Sequence, residues 1–241
     1  MNYKKIKEDL VEWLREYVYG INCKGVVFGL SGGIDSAVVA ALAKDAFGED
    51  ALGIIMPING LESDLEDAKL VSDSLNLKTI TLDLTKEYKS FIEKMEVNKN
   101  PLAYANIKPR LRMIALYYYA QNNGYLVSGT TNLSEYTIGY STKYGDSAVD
   151  ISPLIDFTKT EVLELAKYLG IPSKIIDKKP SAGLWEGQND EDDLGFTYEE
   201  LDRYILKGEG SKEIIEKVEN MKKINNHKKM MPEKFNYRRD V

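Results

Sequence analysis

Apolar residues recur along the first segment of the chain with the period of a helix. Up to Tyr19, charged residues separate apolar positions spaced mostly three or four apart, namely Ile6, Leu10, Leu14, Tyr17 and Val18. Residues at this spacing share one face of an amphipathic helix. The pattern predicts an N-terminal helix that packs through its apolar side.

After this helix, short apolar runs alternate with longer segments. The short runs predict strands near 26–28, 51–56, 78–84 and 125–128, and the longer segments predict helices near 37–47, 64–75, 85–95 and 102–121. Strands that alternate with helices of this length imply βαβ units and a parallel sheet covered on both faces. We therefore predict an α/β fold with an open, mostly parallel sheet.

The pattern is less regular in the second half of the chain. Residues 132–153 have no sustained period and predict a long ordered loop, whereas Thr158 and Glu161 are spaced as the capping box of a helix over 158–169. Residues 178–193 are polar and predict a mobile segment, with the acidic run 190–193 as a solvated loop. Short helices near 198–206 and 211–226 precede a basic tail. The interpretation is a single domain over 1–241 with a small helical C-terminal part.

The composition restricts the chemistry that this chain can perform. It has one cysteine, Cys23, and one histidine, His227, which exclude a disulfide framework and a zinc site of clustered cysteines and histidines. Its net charge of −6 argues against a general nucleic-acid binder. No apolar stretch has the ~20 residues of a membrane span, and the N-terminus lacks the apolar core of a secretory signal. We expect a cytoplasmic protein with no membrane partner.

A glycine-rich turn lies between the first predicted strand and the following helix. It consists of Gly29, Leu30, Ser31, Gly32, Gly33, Ile34, Asp35 and Ser36. Backbone amides and the helix dipole converge at such a turn, which favours anion binding. The turn has neither GxxxxGK[ST] nor GxGxxG spacing. A tight turn that needs glycines only for its backbone is the alternative, but the complete pattern in this context favours an anion site.

Ser31–Ser36 resembles the SGGxDS loop of the N-type ATP pyrophosphatases. The resemblance implies cleavage of ATP to AMP and pyrophosphate while a substrate oxygen is activated as an adenylate. Backbone amides and the hydroxyls of Ser31 and Ser36 suit a departing pyrophosphate, and Asp35 suits Mg²⁺.

Further motifs resemble the ammonia-dependent NAD synthetases over nearly the whole chain. They are residues 106–113, 128–135, 139–146, 150–154, 179–184 and 227–228. The resemblance implies a Rossmann-like fold of the adenine nucleotide alpha-hydrolase type. It also implies ATP-dependent amidation of deamido-NAD by ammonia, through an adenylated nicotinate, in a homodimer whose dinucleotide site lies at the subunit interface.

The resemblance assigns roles residue by residue. Asp35, Lys159 and Ser181 are the expected catalytic residues, and Thr130, Lys159 and Ser181 complete the ATP site formed by Gly29–Ser36. Asp35 and Glu135 are the expected Mg²⁺ ligands. The residues expected to contact deamido-NAD are Arg110, Lys143, Asp150, His227 and Lys228.

The sequence leaves other interpretations open for single residues, for the reaction and for the nitrogen source. Arg110 and Arg112 follow Pro109 in a predicted helix and are compatible with simple solvation, as is Lys143 in a polar loop. Another adenylating amide synthase, similar to GMP synthetase, explains the loop but not the later motifs. A non-catalytic nucleotide-binding protein is disfavoured by intact Asp35, Glu135 and Lys159. The chain has no room for a fused glutaminase domain, so free ammonia is the expected nitrogen source unless a separate glutaminase subunit supplies it.

Overall fold

A parallel sheet forms the centre of the fold. The computed structural model describes residues 1–59, 62–95, 100–181, 189–235 and 237. Within them, the sheet contains β1 (Gly25–Gly29), β2 (Ala51–Ile55), β3 (Lys78–Thr81) and β4 (Tyr125–Val127). The strand order is β3-β2-β1-β4 and every pairing is parallel, with Val27 aligned to Leu52 and to Val127. The predicted parallel sheet is confirmed.

Helices connect the strands and form the C-terminal part. They are α1 (Tyr3–Gly20), α2 (Ile34–Phe47), α3 (Glu62–Ser74), α4 (Thr85–Ile92), α5 (Pro101–Ala105), α6 (Ile107–Asn123), α7 (Leu133–Ile138), α8 (Lys159–Tyr168), α9 (Ser173–Ile176), α10 (Asp190–Leu194), α11 (Tyr198–Lys207) and α12 (Lys212–Asn225). None of the helices in the described ranges has the length and apolar character needed to cross a lipid bilayer.

Both faces of the sheet are covered, as the apolar runs predict. Val26 and Phe28 of β1 join a core with α1, α2 and α8, whereas Val27 points to a second core with α4 and α6. Successive side chains of a strand point to opposite faces, which explains why an uninterrupted apolar run forms β1. Complete burial of a side chain such as Phe28 contributes about 1.5–3 kcal/mol.

The helix predicted over 102–121 is divided into α5 and α6. Asn106 separates the two, and Pro109 lies in the first turn of α6. Proline has no amide hydrogen to donate to the carbonyl four residues earlier, but this loss costs little in the first turn of a helix. The chain therefore starts a new helix just before Pro109.

The prediction of a long loop over 132–153 is wrong for its first residues, which form α7. Asn132 caps this helix by accepting from the Glu135 amide at 3.0 Å, and the Glu135 carboxylate accepts from the Asn132 amide at 3.3 Å. Gly139 ends it with a φ of 67°, a left-handed conformation that glycine adopts without strain. The reciprocal cap was readable in the sequence, but a helix of six residues is too short to show a hydrophobic period.

The C-terminal helices pack around a separate small core. Ile138 of α7, Leu201 of α11 and Val218 of α12 are fully buried there. The acidic run 190–193 is not a solvated loop: it forms most of α10, and the Asp190 carboxylate is buried and accepts from the hydroxyls of Tyr140 and Tyr198. Two hydroxyl donors, one buried and one partly buried, thus compensate for the desolvation of this carboxylate. Residues 182–188 of the predicted mobile segment lie outside the described residues.

Candidate functional site

The candidate site lies where the strand order reverses. The chain passes from β1 to β2 and β3 on one side, then crosses to β4 on the other side of β1. Ligands of open parallel sheets bind at such a switch point, beyond the carboxyl ends of the strands. Residues 29–36 follow β1 there, and residues 128–132 follow β4.

Hydrogen bonds among the serines and glycines shape the glycine-rich turn. The Ser36 hydroxyl donates to the Gly33 carbonyl at 2.9 Å and lies 3.1 Å from the Ser31 hydroxyl. Gly32 has a φ of 78°, and a Cβ at this position would lie 2.8 Å from the Ala68 amide nitrogen of α3. The turn therefore needs glycine both for its backbone conformation and for its contact with α3.

This turn leads into the N-terminus of α2, which has the features of an anion site. Gly33 is the N-cap residue and contributes no side-chain capping bond. Amides in the first turn of such a helix point outward, and the helix dipole adds a partial positive charge. Both features fit a phosphate group.

Two carboxylates and a lysine meet beside the turn, and we refer to Asp35, Asn132, Glu135 and Lys159 as the lysine–carboxylate cluster. The Lys159 ammonium donates to Asp35 at 2.5 Å and to Glu135 at 3.5 Å. The Asn132 side-chain amide donates to the other Asp35 oxygen at 2.9 Å. The structure thus brings together α2, α7 and α8.

Burial strongly affects the electrostatics of this cluster. The side chains of Asp35, Glu135 and Lys159 are only 16%, 16% and 11% exposed. Burial and the nearby charge of Asp35 raise the pKa of Glu135 from 4.5 to about 8, although Lys159 opposes the shift. Burial acts to lower the pKa of Lys159, but the two carboxylates raise it above its ordinary value. One ammonium therefore does not compensate for two buried carboxylates.

The cluster has a donor set that fits Mg²⁺. This ion favours oxygen ligands and binds through one or two carboxylates together with phosphate oxygens and water. Asp35 and Glu135 supply two carboxylates in a region short of positive charge. No group of three or more acidic, histidine or cysteine side chains suited to a metal ion occurs among the described residues. The remaining ligands would therefore come from phosphate or water.

Thr130 and Ser181, the two further residues expected in the ATP site, are located through their neighbours in the chain. Thr130 is partly buried just after β4, two residues before Asn132. Ser181 is exposed and follows Lys178, whose ammonium pairs with Asp64 at 2.9 Å and Asp67 at 2.6 Å on α3. Because Gly32 also contacts this part of α3, the chain before Ser181 is anchored next to the glycine-rich turn.

A second group of basic residues forms around the C-terminal turn, and we refer to Arg110, Lys143, His227 and Lys228 as the basic cluster. The Arg110 guanidinium donates to the Lys143 carbonyl at 3.1 Å, and the Lys143 ammonium donates to the His227 carbonyl at 2.6 Å. Lys228 donates to the carbonyls of Gly139 and Ser141 at 2.8 and 2.9 Å. Three of the five expected substrate contacts, Arg110, Lys143 and His227, are therefore connected through backbone oxygens, and Lys228 follows His227 directly in the chain.

Asp150 is connected to β4 and to α6, the helix that carries Arg110. One of its carboxylate oxygens accepts from the Tyr117 hydroxyl at 3.1 Å, and the other accepts from the Val127 amide at 2.8 Å. Tyr117 follows Arg110 by about two turns on α6. Asp150 thus ties the end of β4 to the helix that carries Arg110.

Helix α7 joins the two clusters. Its first turn carries Glu135, and the carbonyls of its last two residues and of its C-cap, Thr137–Gly139, accept from Lys229, Asn225 and Lys228. A helix of this length spans roughly 9 Å. The element that sequence reasoning treated as a loop therefore holds the two clusters at a fixed separation.

Sequence reasoning missed several residues that shape the site. Asn132 was identifiable from its spacing to Glu135. Arg112 is partly buried, not simply solvated: its Nε donates to the Met56 carbonyl at 3.1 Å, just beyond β2, and burial lowers its pKa. Tyr198 places its ring centroid 5.2 Å from the Lys159 ammonium, and Asp202 is buried behind α7 and α8. Nothing local in the sequence distinguishes these last two from ordinary helix residues.

Comparison with known proteins identifies the family. A family model described as NAD synthase matches residues 6–241. The NH3-dependent NAD+ synthetase of Finegoldia magna is 52% identical over 241 residues, which cover 99% of each chain. A structure described as NMN synthetase from Francisella tularensis has a TM-score of 0.95 and 37% identity, covering 98% of this chain and 100% of that one. An NH3-dependent NAD synthetase from Campylobacter jejuni has a TM-score of 0.82 and 33% identity, covering 98% and 100%.

These matches extend over nearly the whole chain and include both clusters and the helix that joins them. The chain therefore belongs to the NAD synthase family.

Proposed function

We propose that the protein catalyses the ATP-dependent amidation of deamido-NAD with ammonia, giving NAD, AMP and pyrophosphate. The observation that carries the proposal is the contact of Lys159 with both Asp35 and Glu135 beside the N-terminus of α2. The site combines a buried cation, two carboxylates that would hold Mg²⁺, and backbone amides at a helix N-terminus. This combination suits the cleavage of a nucleoside triphosphate. Family membership over 6–241 supports the choice of reaction.

In the first step, a nicotinate carboxylate oxygen attacks the α-phosphorus of ATP. The bond between that phosphorus and the bridging oxygen breaks, and pyrophosphate leaves with the electron pair. The amides at the start of α2, the hydroxyls of Ser31 and Ser36, and the Lys159 ammonium stabilise the charge that develops on the leaving group. We propose Thr130 and Ser181 as further phosphate contacts.

Asp35 and Glu135 would hold Mg²⁺. When bound, this ion supplies positive charge to the phosphate oxygens and to the carboxylate pair. The chain itself orients both carboxylates: Asn132 fixes Asp35, and the reciprocal cap of α7 fixes the backbone of Glu135. In the second step, ammonia attacks the acyl carbon, the bond to AMP breaks, and the extra proton is released.

The basic cluster would bind the phosphates of the dinucleotide. Backbone carbonyls, which are neutral, accept hydrogen bonds from Arg110, Lys143 and Lys228. Among the described residues, none of these three side chains forms an ion pair with a carboxylate. Exchange of a neutral oxygen for a phosphate oxygen strengthens such a hydrogen bond. We propose that His227 and Asp150 complete this acceptor site.

A homodimer is also part of the proposal. Arg110, Ile114 and Tyr118 follow one another at intervals of four along α6, and Ile114 and Tyr118 are 60% and 64% exposed. They therefore form one exposed face, apolar except for Arg110. An apolar face next to the acceptor site fits a second copy of the chain, with the dinucleotide bound across the interface.

The test is an assay of purified protein with ATP, Mg²⁺, ammonium and deamido-NAD. We expect NAD and AMP in equal amounts, a requirement for Mg²⁺, and no reaction when glutamine replaces ammonium. Failure to form NAD with ammonium would contradict the proposed reaction. Activity with glutamine alone would contradict the nitrogen source.

A second acceptor follows from one specific comparison. The Francisella tularensis structure with a TM-score of 0.95 is described as an NMN synthetase. The corresponding activity would amidate the deamido form of NMN, which lacks the adenylate half of the dinucleotide. The same assay with both acceptors distinguishes the two, and we expect the higher kcat/KM with deamido-NAD because the basic cluster offers contacts for more than one phosphate.

A further inference from the structure

A buried carboxylate on α11 contacts both helices that carry the lysine–carboxylate cluster. Asp202 is 3% exposed and accepts from the Ser134 hydroxyl of α7. Its other oxygen accepts from the Thr160 amide at 2.8 Å and the Thr160 hydroxyl at 2.6 Å on α8. The Ser134 oxygen in turn accepts from the Lys159 amide at 2.9 Å. One carboxylate thus connects the first turns of two helices.

The contacted residues adjoin the functional ones in sequence. Ser134 precedes Glu135, and Thr160 follows Lys159. Any shift between the first turns of α7 and α8 therefore changes the distance between the Glu135 carboxylate and the Lys159 ammonium. Errors on the order of 1 Å in such an arrangement cost about a hundredfold in rate.

Helix capping alone does not explain Asp202. Helix α7 has its own cap from Asn132, and α8 has a capping box of Thr158 and Glu161. Burial of a further charged side chain is costly unless it forms several good hydrogen bonds. The additional effect of Asp202 is to set the position of one helix relative to the other, which neither cap does.

We infer that Asp202 is a positioning residue, which aligns Glu135 and Lys159 with Asp35 through Ser134 and Thr160. The inference rests on the proposed function, in that the alignment serves the ATP-cleaving step. The role of Asp202 involves no contact with substrate or metal, because it acts through Ser134 and Thr160 on the two helices.

The experiment compares Asp202→Asn and Ser134→Ala with the wild-type protein. Hydrogen exchange of the Lys159 and Thr160 amides, followed by NMR, reports the positioning without any substrate. For Asp202→Asn we expect both amides to exchange about tenfold faster or more, since a loss on the order of 1.4 kcal/mol corresponds to that factor. We expect kcat to fall about tenfold to a hundredfold, with both KM values within about twofold. Ser134→Ala, the milder change, should shift Lys159 exchange and kcat in the same direction.

Asp50→Asn is the matched control. Asp50 accepts from the Tyr125 hydroxyl at 2.7 Å at the amino ends of β2 and β4, whereas the site lies beyond the carboxyl ends of the strands, so its loss tests carboxylate removal away from the site. We expect a lower Tm with wild-type kcat and wild-type exchange at Lys159 and Thr160. Wild-type exchange and kcat in both Asp202→Asn and Ser134→Ala would overturn the inference, as would an equal loss of kcat in Asp50→Asn. An inactive wild-type protein with accelerated exchange in Asp202→Asn would contradict the proposed reaction and still support the positioning role.

Discussion

The lysine–carboxylate cluster and the basic cluster differ in how their charges are satisfied. In the first, Lys159 and Asp35 bond to each other through side chains that are 11% and 16% exposed. In the second, Arg110 and His227 are exposed, and the lysines donate to backbone carbonyls. The first cluster is preorganised within this chain, whereas the second has cations bonded to neutral oxygens.

This difference separates two tasks. A group that stabilises charge in a transition state must be fixed before the reaction, which requires burial and side-chain partners. A group that captures a large anionic substrate acts at the surface, where weak bonds to carbonyls are exchanged for stronger bonds to phosphate. We therefore expect changes in the first cluster to affect kcat and changes in the second to affect the KM of the acceptor.

The largest effect is expected for Lys159→Ala. It removes the only cation that contacts both Asp35 and Glu135 in the described residues and leaves two buried carboxylates to repel each other. Loss of one preorganised charge-stabilising group costs about a hundredfold to a thousandfold in kcat. AMP formation measures this loss. Lys167→Ala on the same helix, which breaks an exposed pair with Glu164, should keep wild-type kcat; a similar loss there would indicate a general effect on α8.

A smaller effect, on the KM of the acceptor, is expected for Arg110→Gln. Loss of a charge-assisted hydrogen bond to phosphate is worth about 1.5–3 kcal/mol, or roughly a tenfold to hundredfold rise in KM. The KM of ATP and kcat should stay near wild type. Initial rates at varied deamido-NAD measure this, with Arg203→Gln as control because Arg203 pairs with the exposed Glu199 on α11. A fall in kcat at unchanged KM would contradict the division between the clusters.

The raised pKa of Glu135 predicts a pH-dependent stability in the absence of Mg²⁺. Between about pH 4.5 and about pH 8 the folded protein retains a proton that an unfolded glutamate releases, so stability falls as pH rises through this window. Glu135→Gln lacks this titration. As pH rises through this window, the free energy of unfolding of the variant should therefore increase relative to that of the wild type, by on the order of 1 kcal/mol per pH unit at most. Denaturant titrations across the window measure the difference, and parallel curves would show that the pKa is not raised.

The smallest effect is expected from ionic strength. Exposed charges are screened at a Debye length of about 10 Å at 0.1 M salt, and buried pairs are screened much less. Raising the salt concentration from about 0.05 M to about 0.5 M should increase the KM of deamido-NAD roughly threefold and leave kcat almost unchanged. A larger change in kcat than in this KM would reverse the assignment of the two clusters.

Local signals predicted much of the fold. The apolar run at Val26–Phe28 predicted β1, and the spacing of Thr158 and Glu161 predicted where α8 begins. Helix α7 was missed because six residues carry almost no periodicity. The break at Asn106 leaves the apolar pattern uninterrupted, and its one local signal is Pro109, a residue that is tolerated in the first turn of a helix.

The sequence by itself determined the alternation of strands and helices, the glycine-rich turn and, through resemblance, the expected site residues. These depend on local patterns, since neighbouring residues determine periodicity, capping and backbone freedom. Only the tertiary structure decided that Asp35, Asn132, Glu135 and Lys159 meet, that α7 joins them to the basic cluster, and that Asp202 supports both helices. Asp35 and Lys159 are 124 residues apart in the chain, and their contact depends on how α2, α7 and α8 pack around one sheet.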